Sequence, residues 1–212
     1  MTADPYKVKD AKIIKEVSYN EACELAYQGA RVIHPRAAEI AMQEDIPIKI
    51  KSTASKSTGT VINKSIKSDR PVTGVASRCD IIFVKIISSK QRKHATGLKV
   101  FKILADNKIS VDFINIRPEA ISFIINDKYR ENVSKILDEF GMKYELSDNF
   151  IKVSVVGGGM TGRPGIMASI VEALSAKKIS IYQTTDSHTT ISCLLNRDVE
   201  NIALNALHNA FN

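Results

Sequence analysis

Hydrophobic and polar positions repeat along the chain with a period of 70 residues. Residues 108–111 read KISV and residues 178–181 read KISI, and twelve positions after each lysine come AISFII and TISCLL. Self-similarity at a fixed period is typical of chains that contain more than one copy of a structural unit. The pattern therefore predicts a tandem pair of similar domains.

Each copy shows the same order of strand and helix patterns. The runs FVKIIS (83–88) and IKVSVV (151–156) predict a first strand. LKVFKILADN and IMASIVEALSA carry apolar residues at helical spacing, and YRENVSKILDEF and DVENIALNALHNAF predict a closing helix. Each copy reads strand, helix, strand, strand, helix, and one further strand completes a ferredoxin-like βαββαβ sandwich. Because helices cover only one face of such a sheet, pairing of the copies or of two chains is expected.

Residues 1 to about 66 have a different character. Ser18 followed by Glu21 is a capping box that opens the helix YNEACELAYQ, and Gly29 is placed to end it. Pro35 suits the first turn of a second helix, RAAEIAMQE, and the strand IPIKIK follows. A helix pair with one strand has little core of its own, so this segment is predicted to be the end of a larger domain.

Composition excludes several classes of protein. The 212 residues are 44% hydrophobic and 25% charged, which is typical of a globular protein. No apolar run approaches the roughly 18 residues that cross a bilayer, and MTADPYKVKD lacks a secretory pattern, so a cytoplasmic protein without a membrane partner is expected. The formal charge of +7 is spread along the chain, which disfavours nucleic acid as a partner. The three cysteines and four histidines are too dispersed for a disulfide framework or a metal site.

A glycine-rich loop separates the first strand and first helix of the second copy. Gly157, Gly159 and Gly162 match GxGxxG, and Asp186 follows at a distance that suits a dinucleotide site. An Arg-Pro pair intervenes before the helix, the remaining chain is too short for a doubly wound sheet, and the first copy has no such glycines. A dinucleotide site is therefore disfavoured.

Two other interpretations of residues 157–165 stay open. The backbone amides of the loop, together with the positive end of the following helix, suit the carboxylate of a free amino acid. Alternatively, the loop is only a tight turn with positive φ angles. RNA binding, a frequent function of βαββαβ units, needs aromatic side chains on the sheet for base stacking. FVKIIS offers only Phe83 and IKVSVV offers none, so RNA binding is disfavoured.

Motifs along nearly the whole chain resemble the C-terminal half of aspartate kinases. They run in order from TADPYKV through SYNEACELAYQGARVIHPRA, IPIKIKST, GTVI and PVTGVA to VSVVGGGMTGRPGIMASIVEAL and ALHNAF. INIRPEAISF and TTDSHTTISC resemble the diaminopimelate-sensitive Gram-positive branch more than the lysine-sensitive one. The resemblance implies an α+β fold, with tandem ferredoxin-like ACT domains preceded by the C-terminal end of an α/β amino-acid-kinase domain.

The resemblance implies three parts. Residues 1–66 are the remnant of the kinase domain, residues 67–147 are the first ACT domain, and residues 148–212 are the second. Strand 71–77 is a candidate to pair with the second ACT domain.

The resemblance also implies a parent activity: transfer of the γ-phosphoryl group of ATP to the side-chain carboxylate of L-aspartate, served by ATP and magnesium. Family segments that neutralise charge on the phosphates precede TADP, so this chain alone is expected to be inactive and to need a kinase domain as partner. Remnants of the nucleotide site are implied at Asp4 and at Arg31, where the family more often has lysine. Tyr6 departs from the arginine that usually follows TADP. The alternative is that Asp4 only caps a turn and Arg31 is surface charge.

Effector binding is implied where the first loop and helix of one ACT domain meet the second strand of its partner. Asp112 matches a family acid that accepts an ammonium group, and on the second copy a Pro-Gly loop faces residues expected in the second strand. The effector is expected to be meso-diaminopimelate, lysine or threonine, bound by a homodimer through its ACT domains. The expected effector-binding residues are Asp112, Gly97, Pro164, Gly165, Ser180, Ile181 and Gln183.

The loop of the first copy, SSKQRKHATG, is longer and more basic than the family pattern, with Arg92 and Ala95 near the places of an Asp and a Pro-Gly pair. Either its ligand pocket is lost, or added positive charge retunes it for the two carboxylates of diaminopimelate. Two further classes of function stay open. One is a stand-alone ACT-domain sensor or regulatory subunit with another partner, and the other is a purely structural subunit.

Overall fold

A computed structural model describes residues 1–54, 57–64, 70–87 and 93–211. The strands are β1 (Glu16–Ser18), β2 (Ile48–Ile50), β3 (Thr60–Asn63), β4 (Gly74–Arg78), β5 (Ile81–Ile87), β6 (Asp112–Ile116), β7 (Ala120–Asn126), β8 (Lys143–Ser147), β9 (Phe150–Val156), β10 (Gln183–Asp186) and β11 (Thr190–Asn196). The helices are α1 (Tyr19–Tyr27), α2 (Pro35–Gln43), α3 (Lys93–Asp106), α4 (Arg130–Glu139), α5 (Ile166–Ser175) and α6 (Glu200–Phe211).

The chain divides into two compact units. Unit 1 consists of residues 1–78, 152–195 and 199–212. Unit 2 consists of residues 79–151 and 196–198. Unit 2 is therefore an insertion in the chain of unit 1.

The N-terminal layer of unit 1 is formed by β1, β2, β3, α1 and α2. Its sheet has the order β1-β3-β2, with β1 parallel and β2 antiparallel to β3. The predicted capping box is present: the Ser18 hydroxyl accepts from the Glu21 amide, and the Glu21 carboxylate accepts from the Ser18 amide. Gly29 follows α1 with a φ of 115°, a conformation in which glycine is favoured. The small core of the layer consists of Val17, Tyr19, Ala22, Ala41 and Ile62.

Unit 2 is a ferredoxin-like sandwich built from one continuous segment. The sheet order is β6-β7-β5-β8, and β7 and β8 both pair antiparallel with β5. Apolar side chains at alternate strand positions face α3 and α4, as the period-2 pattern predicts. The buried core includes Ile82, Val84, Ile86, Leu104, Phe123, Ile125, Val133 and Leu137.

The second sheet of unit 1 has the same architecture as the sheet of unit 2, but one of its strands comes from a different part of the chain. Its order is β10-β11-β9-β4, and β4 pairs antiparallel with β9 from Gly74 opposite Val156 to Arg78 opposite Lys152. The edge position that β8 fills in unit 2 is thus filled by a strand that precedes unit 2 in the chain. The buried residues on this sheet and its helices include Ile151, Val153, Val155, Ile170, Leu174 and Leu204. Both sheets confirm the α+β, ferredoxin-like fold class.

The second strand of each copy begins after KISV or KISI, because the lysine that opens each motif has a left-handed backbone, with φ of 56° at Lys108 and 58° at Lys178.

Residues 88–92 of the basic loop, which include Arg92, lie outside the described residues, as does the predicted boundary at residues 66–67. None of the helices in the described part of the chain is long and apolar enough to cross a membrane.

Candidate functional site

The glycine loop after β9 has an inner half, Gly157–Gly159, that packs against the backbone before β4. A Cβ atom at Gly157 would lie 2.1 Å from the Pro71 carbonyl oxygen, and one at Gly159 would lie 2.6 Å from the Arg70 carbonyl oxygen. Both distances are shorter than any van der Waals contact, so only glycine fits. The Gly157 amide also donates to the Thr189 carbonyl at 2.9 Å. The inner half is therefore fixed by backbone packing.

The outer half of the loop, residues 161–165, is exposed. Gly162 and Gly165 have φ angles of 73° and 92°, and a Cβ atom on either would meet no other atom within 4 Å. Pro164 is exposed, and Gly165 is the N-cap residue of α5. The first amides of a helix lack intrahelical acceptors and carry the positive end of its dipole, so this end of α5 is chemically suited to a carboxylate.

The amide of Gly158, in the inner half of the loop, donates to a carboxylate of the chain itself. Glu21 on α1 is only 2% exposed, and its Oε1 accepts from the Gly158 amide at 3.0 Å and from the Thr73 hydroxyl in a short hydrogen bond. Its Oε2 accepts from the Ser18 hydroxyl at 2.6 Å and the Ser18 amide at 3.2 Å. Burial raises the pKa of Glu21, but these hydrogen bonds outweigh it and hold the pKa below its ordinary value. The carboxylate is thus kept ionised inside the protein.

The helix face that carries Glu21 makes further hydrogen bonds to the second sheet. Glu24 accepts from the Thr190 hydroxyl at 3.1 Å and from the Gln28 side-chain amide at 3.4 Å. The Gln28 side-chain oxygen accepts from the Ser154 hydroxyl at 3.0 Å, and Ser154 lies 2.8 Å from the Ser192 hydroxyl. The contacting positions of α1 are spaced three, four and seven residues apart, so they share one helix face. Helix α1 therefore joins the N-terminal layer to β9 and β11.

Sequence reasoning missed this polar face. Two clues were present: single serines interrupt the apolar runs VSVV and TISC, and three long polar side chains recur on one face of α1. Neither clue specifies that the two sets meet, since the partners are more than 120 residues apart in the chain.

The predicted nucleotide-site remnants lie at the surface of unit 1. The Asp4 carboxylate accepts from the Tyr6 amide at 3.0 Å and caps a turn, while Arg31 is exposed just after α1. The turn that holds Asp4 is anchored to the second sheet and its last helix. The Thr2 carbonyl accepts from the Val75 amide at 2.8 Å, and the Lys7 ammonium pairs with Glu200 at 2.8 Å.

Asp112 and Gly97 lie in unit 2. Asp112 is half-buried and begins the edge strand β6, where its Oδ1 accepts from the Phe113 amide at 2.7 Å. Phe113 has a φ of 58° and is buried, and a register irregularity with β7 follows it. Gly97 lies in α3, where an added Cβ would lie 3.5 Å from Ile121 Cδ1.

The remaining expected effector residues lie in unit 1. Gln183 is the first residue of β10, and the Tyr182 amide before it already donates to the Leu194 carbonyl at 3.0 Å. Ser180 and Ile181 precede β10, so their expected place within the strand is wrong. The reason is the left-handed turn at Lys178, which delays pairing with β11.

The comparisons with known proteins agree with this architecture. The model of the ACT domain matches residues 145–209, and the model of the amino acid kinase family matches residues 1–52. Aspartokinase 1 of Bacillus subtilis is 42% identical over 100% of this chain and 54% of its own length. The solved aspartate kinase of Clostridium acetobutylicum is similar at 27% identity and a TM-score of 0.87, over 100% of this chain and 52% of that one.

A shorter solved protein is also similar. The regulatory subunit of aspartate kinase from Thermus thermophilus, in its ligand-free form, has 26% identity and a TM-score of 0.61, over 68% of this chain and 99% of that one. The chain spans about half the length of the curated relatives it matches. Both family models, the relatives and the shared fold agree that this chain is similar, over its whole length, to the C-terminal half of aspartate kinases.

Proposed function

We propose that the chain is the regulatory part of an aspartate kinase, which binds an end-product amino acid and conveys the bound state to a kinase domain. One observation supports this proposal most strongly. The N-terminal layer, which matches the amino acid kinase family, and the second ACT domain belong to one compact unit. The polar face of α1 joins them. A change at the ACT domain therefore has a direct structural route to kinase-like residues.

The proposed effector is a free amino acid, with lysine, threonine and meso-diaminopimelate as candidates. Its carboxylate suits the open outer half of the glycine loop, since Gly162 and Gly165 leave the start of α5 uncovered. In unit 2, Asp112 is proposed to accept the ammonium group of an effector in a homodimer of ACT domains. Diaminopimelate is favoured within this set by the basic sequence SSKQRKHATG, because the ligand has two carboxylates.

The proposed parent reaction is phosphorylation of the L-aspartate side chain by ATP with magnesium, in a kinase domain joined to this chain. Asp4 and Arg31 are proposed to contact the nucleotide in that assembly, and a cytoplasmic location is part of the proposal. Feedback requires the effector to bind one arrangement of the domains more tightly than another, since equal binding shifts nothing.

The likeness to a separate regulatory subunit favours a second candidate, a subunit that regulates a partner chain. The N-terminal layer distinguishes the two. A separate regulatory subunit has no need of residues 1–52, which here match the amino acid kinase family.

The test is a thermal-shift screen of this chain with lysine, threonine, methionine and meso-diaminopimelate. A ligand at 100 times its Kd stabilises the fold by about 2.7 kcal/mol, which is a clear shift in Tm. We expect at least one of the four to raise the Tm. Asp112→Asn should abolish that shift, whereas Asp106→Asn, a matched change at an exposed aspartate of α3, should not. No shift with any of the four would overturn the sensing proposal.

A further inference from the structure

The turn of residues 4–8, called the Asp4 turn from here on, has few bonds of its own. The amides of Lys7 and Val8 donate to the Asp4 carbonyl at 3.0 and 2.9 Å, and the Asp4 side chain is exposed. Two such hydrogen bonds do not offset the conformational entropy that is lost when a turn is ordered. The place of Asp4 therefore depends on the elements to which the turn is bonded.

Helix α6 supplies side-chain bonds to the Asp4 turn. Glu200 Oε1 accepts from the Lys7 ammonium at 2.8 Å and from the Ser77 hydroxyl of β4 at 2.7 Å. The side-chain amide of Asn205, on the same helix, donates to the Lys7 carbonyl at 3.0 Å. One oxygen of Glu200 thus bonds both to the turn and to β4, so the turn is held against two elements at once.

Thr2, on the other side of Asp4, is bonded to the same two elements. Its carbonyl accepts from the Val75 amide of β4 at 2.8 Å, and its hydroxyl lies 2.9 Å from Nε2 of His208 in α6. Thr2 and His208 are 2% and 1% exposed. Asp4 therefore lies between two anchored residues, Thr2 and Lys7, and both are anchored to β4 and α6.

The closing helix of the other ACT domain does not carry the anchoring side chains of α6. In the repeat of 70 residues, positions 200, 205 and 208 correspond to exposed residues of α4: Arg130, Lys135 and Asp138. The core position of Leu207, by contrast, is again a buried leucine in α4, Leu137. The ACT fold itself therefore does not require Glu200, Asn205 and His208. These residues occur in the copy that belongs to one unit with the N-terminal layer.

We propose that Glu200 and Asn205 are positioning residues of the nucleotide site, which hold the Asp4 turn in place for the contact of Asp4 with the nucleotide. The inference rests on the nucleotide contact of Asp4 proposed above and names the side chains that support it. Glu200 and Asn205 act through Lys7 and not through the nucleotide. The closing helix of an ACT domain is thereby a structural part of the nucleotide site.

The support of the turn is tested on the 212-residue chain by amide hydrogen exchange resolved by NMR. Glu200→Gln keeps the size of the side chain and removes its charge, so exchange at the Val8 amide should rise about fivefold. Exchange in β9 should stay unchanged, because opening of this central strand reflects the stability of unit 1 as a whole. Glu172→Gln, the same change at an exposed glutamate of α5, should leave Val8 unchanged.

The role in the nucleotide site is tested by steady-state kinetics of the complete kinase that the proposed function requires. Glu200→Gln should raise the KM for ATP about fivefold and leave the KM for aspartate unchanged, since only the support of Asp4 is weakened. Loss of folded protein lowers kcat and leaves both KM values as they are, so a merely structural role does not give this result. Glu172→Gln should change neither KM value.

Each outcome distinguishes this inference from the function on which it rests. Unchanged exchange at Val8 in Glu200→Gln overturns the support of the turn, and raised exchange with an unchanged KM for ATP overturns its role in the nucleotide site. Absence of turnover in the wild-type kinase overturns the proposed parent reaction and this inference with it. Should Glu200→Gln fail to fold, Asn205→Ala removes the donor to the Lys7 carbonyl and takes its place in both measurements.

Discussion

The two ferredoxin-like sheets differ in what contacts the face turned away from their helices. In unit 1, Ser154 and Ser192 on this face are 0% and 2% exposed, and Gln28, directly after α1, bonds to the first of them. In unit 2, Ser122 matches Ser192 in the repeat of 70 residues, and its cross-strand partner Lys85 forms a largely exposed ion pair with Glu145 at 3.4 Å. Similar sheets therefore carry a buried polar contact in one case and a solvated one in the other.

The two copies of the domain are assembled from the chain in different ways. Unit 2 has all four strands of its sheet in one segment and keeps a polar outer face. The sheet of unit 1 takes β4 from before unit 2 and takes α1 as its cover, so it is tied to the kinase-like layer. The hydrogen bonds of Glu21, Glu24 and Gln28 described above connect the end of the N-terminal layer to β9, to β11 and to the loop after β9.

The largest expected effect tests whether unit 2 is self-contained. Phe123 is 0% exposed in its core, and Phe123→Ala should destabilise unit 2 by about 3–5 kcal/mol through lost burial and a cavity. Hydrogen exchange should accelerate in β5 and β7 and stay unchanged in α6. Leu204→Ala in α6 is the matched change in unit 1 and should give the reverse pattern. Equal acceleration in both units would remove the distinction between them.

Smaller losses of stability are expected from substitutions in the glycine loop of unit 1, and they should differ between its inner and outer halves. Gly157→Ala places a Cβ atom 2.1 Å from the Pro71 carbonyl oxygen, and the forced shift should cost about 2–3 kcal/mol. Gly162→Ala meets no neighbour and only forces alanine into a left-handed backbone, for about 1 kcal/mol. Urea unfolding monitored by circular dichroism measures both. A larger loss for Gly162→Ala would contradict the fixed and open description of the loop.

Removal of matched serine hydroxyls compares the outer faces directly. Ser154→Ala leaves the buried Gln28 side-chain oxygen without its donor and should cost about 1–2 kcal/mol. Ser122→Ala, on the half-buried face of unit 2, should cost less than Ser154→Ala, because water can reach this face and solvate the groups that the hydroxyl leaves. The midpoints of chemical unfolding report both changes. Equal costs would show that the outer faces do not differ energetically.

The smallest expected effect concerns pH. The pKa of Glu21 is lower in the folded protein than its ordinary value, so its ionised form contributes stability at pH values above that ordinary value. This contribution is lost as the pH falls through the folded pKa. The stability difference between wild type and Glu21→Gln should therefore be constant near neutral pH and shrink below about pH 4.5. Glu145→Gln, at the exposed ion pair of unit 2, should show little difference at any pH.

Local chemistry in the sequence predicted the fold well wherever the determining residues are near one another. The Ser18 and Glu21 pair correctly predicted the start of α1, and alternation in IKVSVV predicted β9. The second strand of the second copy was placed too early: Ser180 and Ile181 were expected in it, but it begins at Gln183, after a turn that contains the left-handed Lys178. Propensity rules do not predict where a lysine adopts the left-handed conformation, which is uncommon for residues other than glycine.

The candidate site was less predictable, because its contacts are long-range. The glycine loop was recognised, but that its central amide already binds Glu21, 137 residues away, follows only from packing. A capping-box glutamate normally completes its bonding within four residues, so nothing marked Glu21 for a second role. The nested course of the chain brings both partners into unit 1.

The insertion of unit 2 also orders events during synthesis. β4 leaves the ribosome before its neighbour β9 and well before β11, which is about 120 residues further along. At translation rates of roughly 5–20 residues per second, about 6–24 s pass between the synthesis of β4 and the synthesis of β11. Unit 2 has by then emerged almost whole, and it is free to fold first and shorten the effective loop that separates β4 from β9. Helix α6, which is made after unit 2, then completes the second sheet of unit 1.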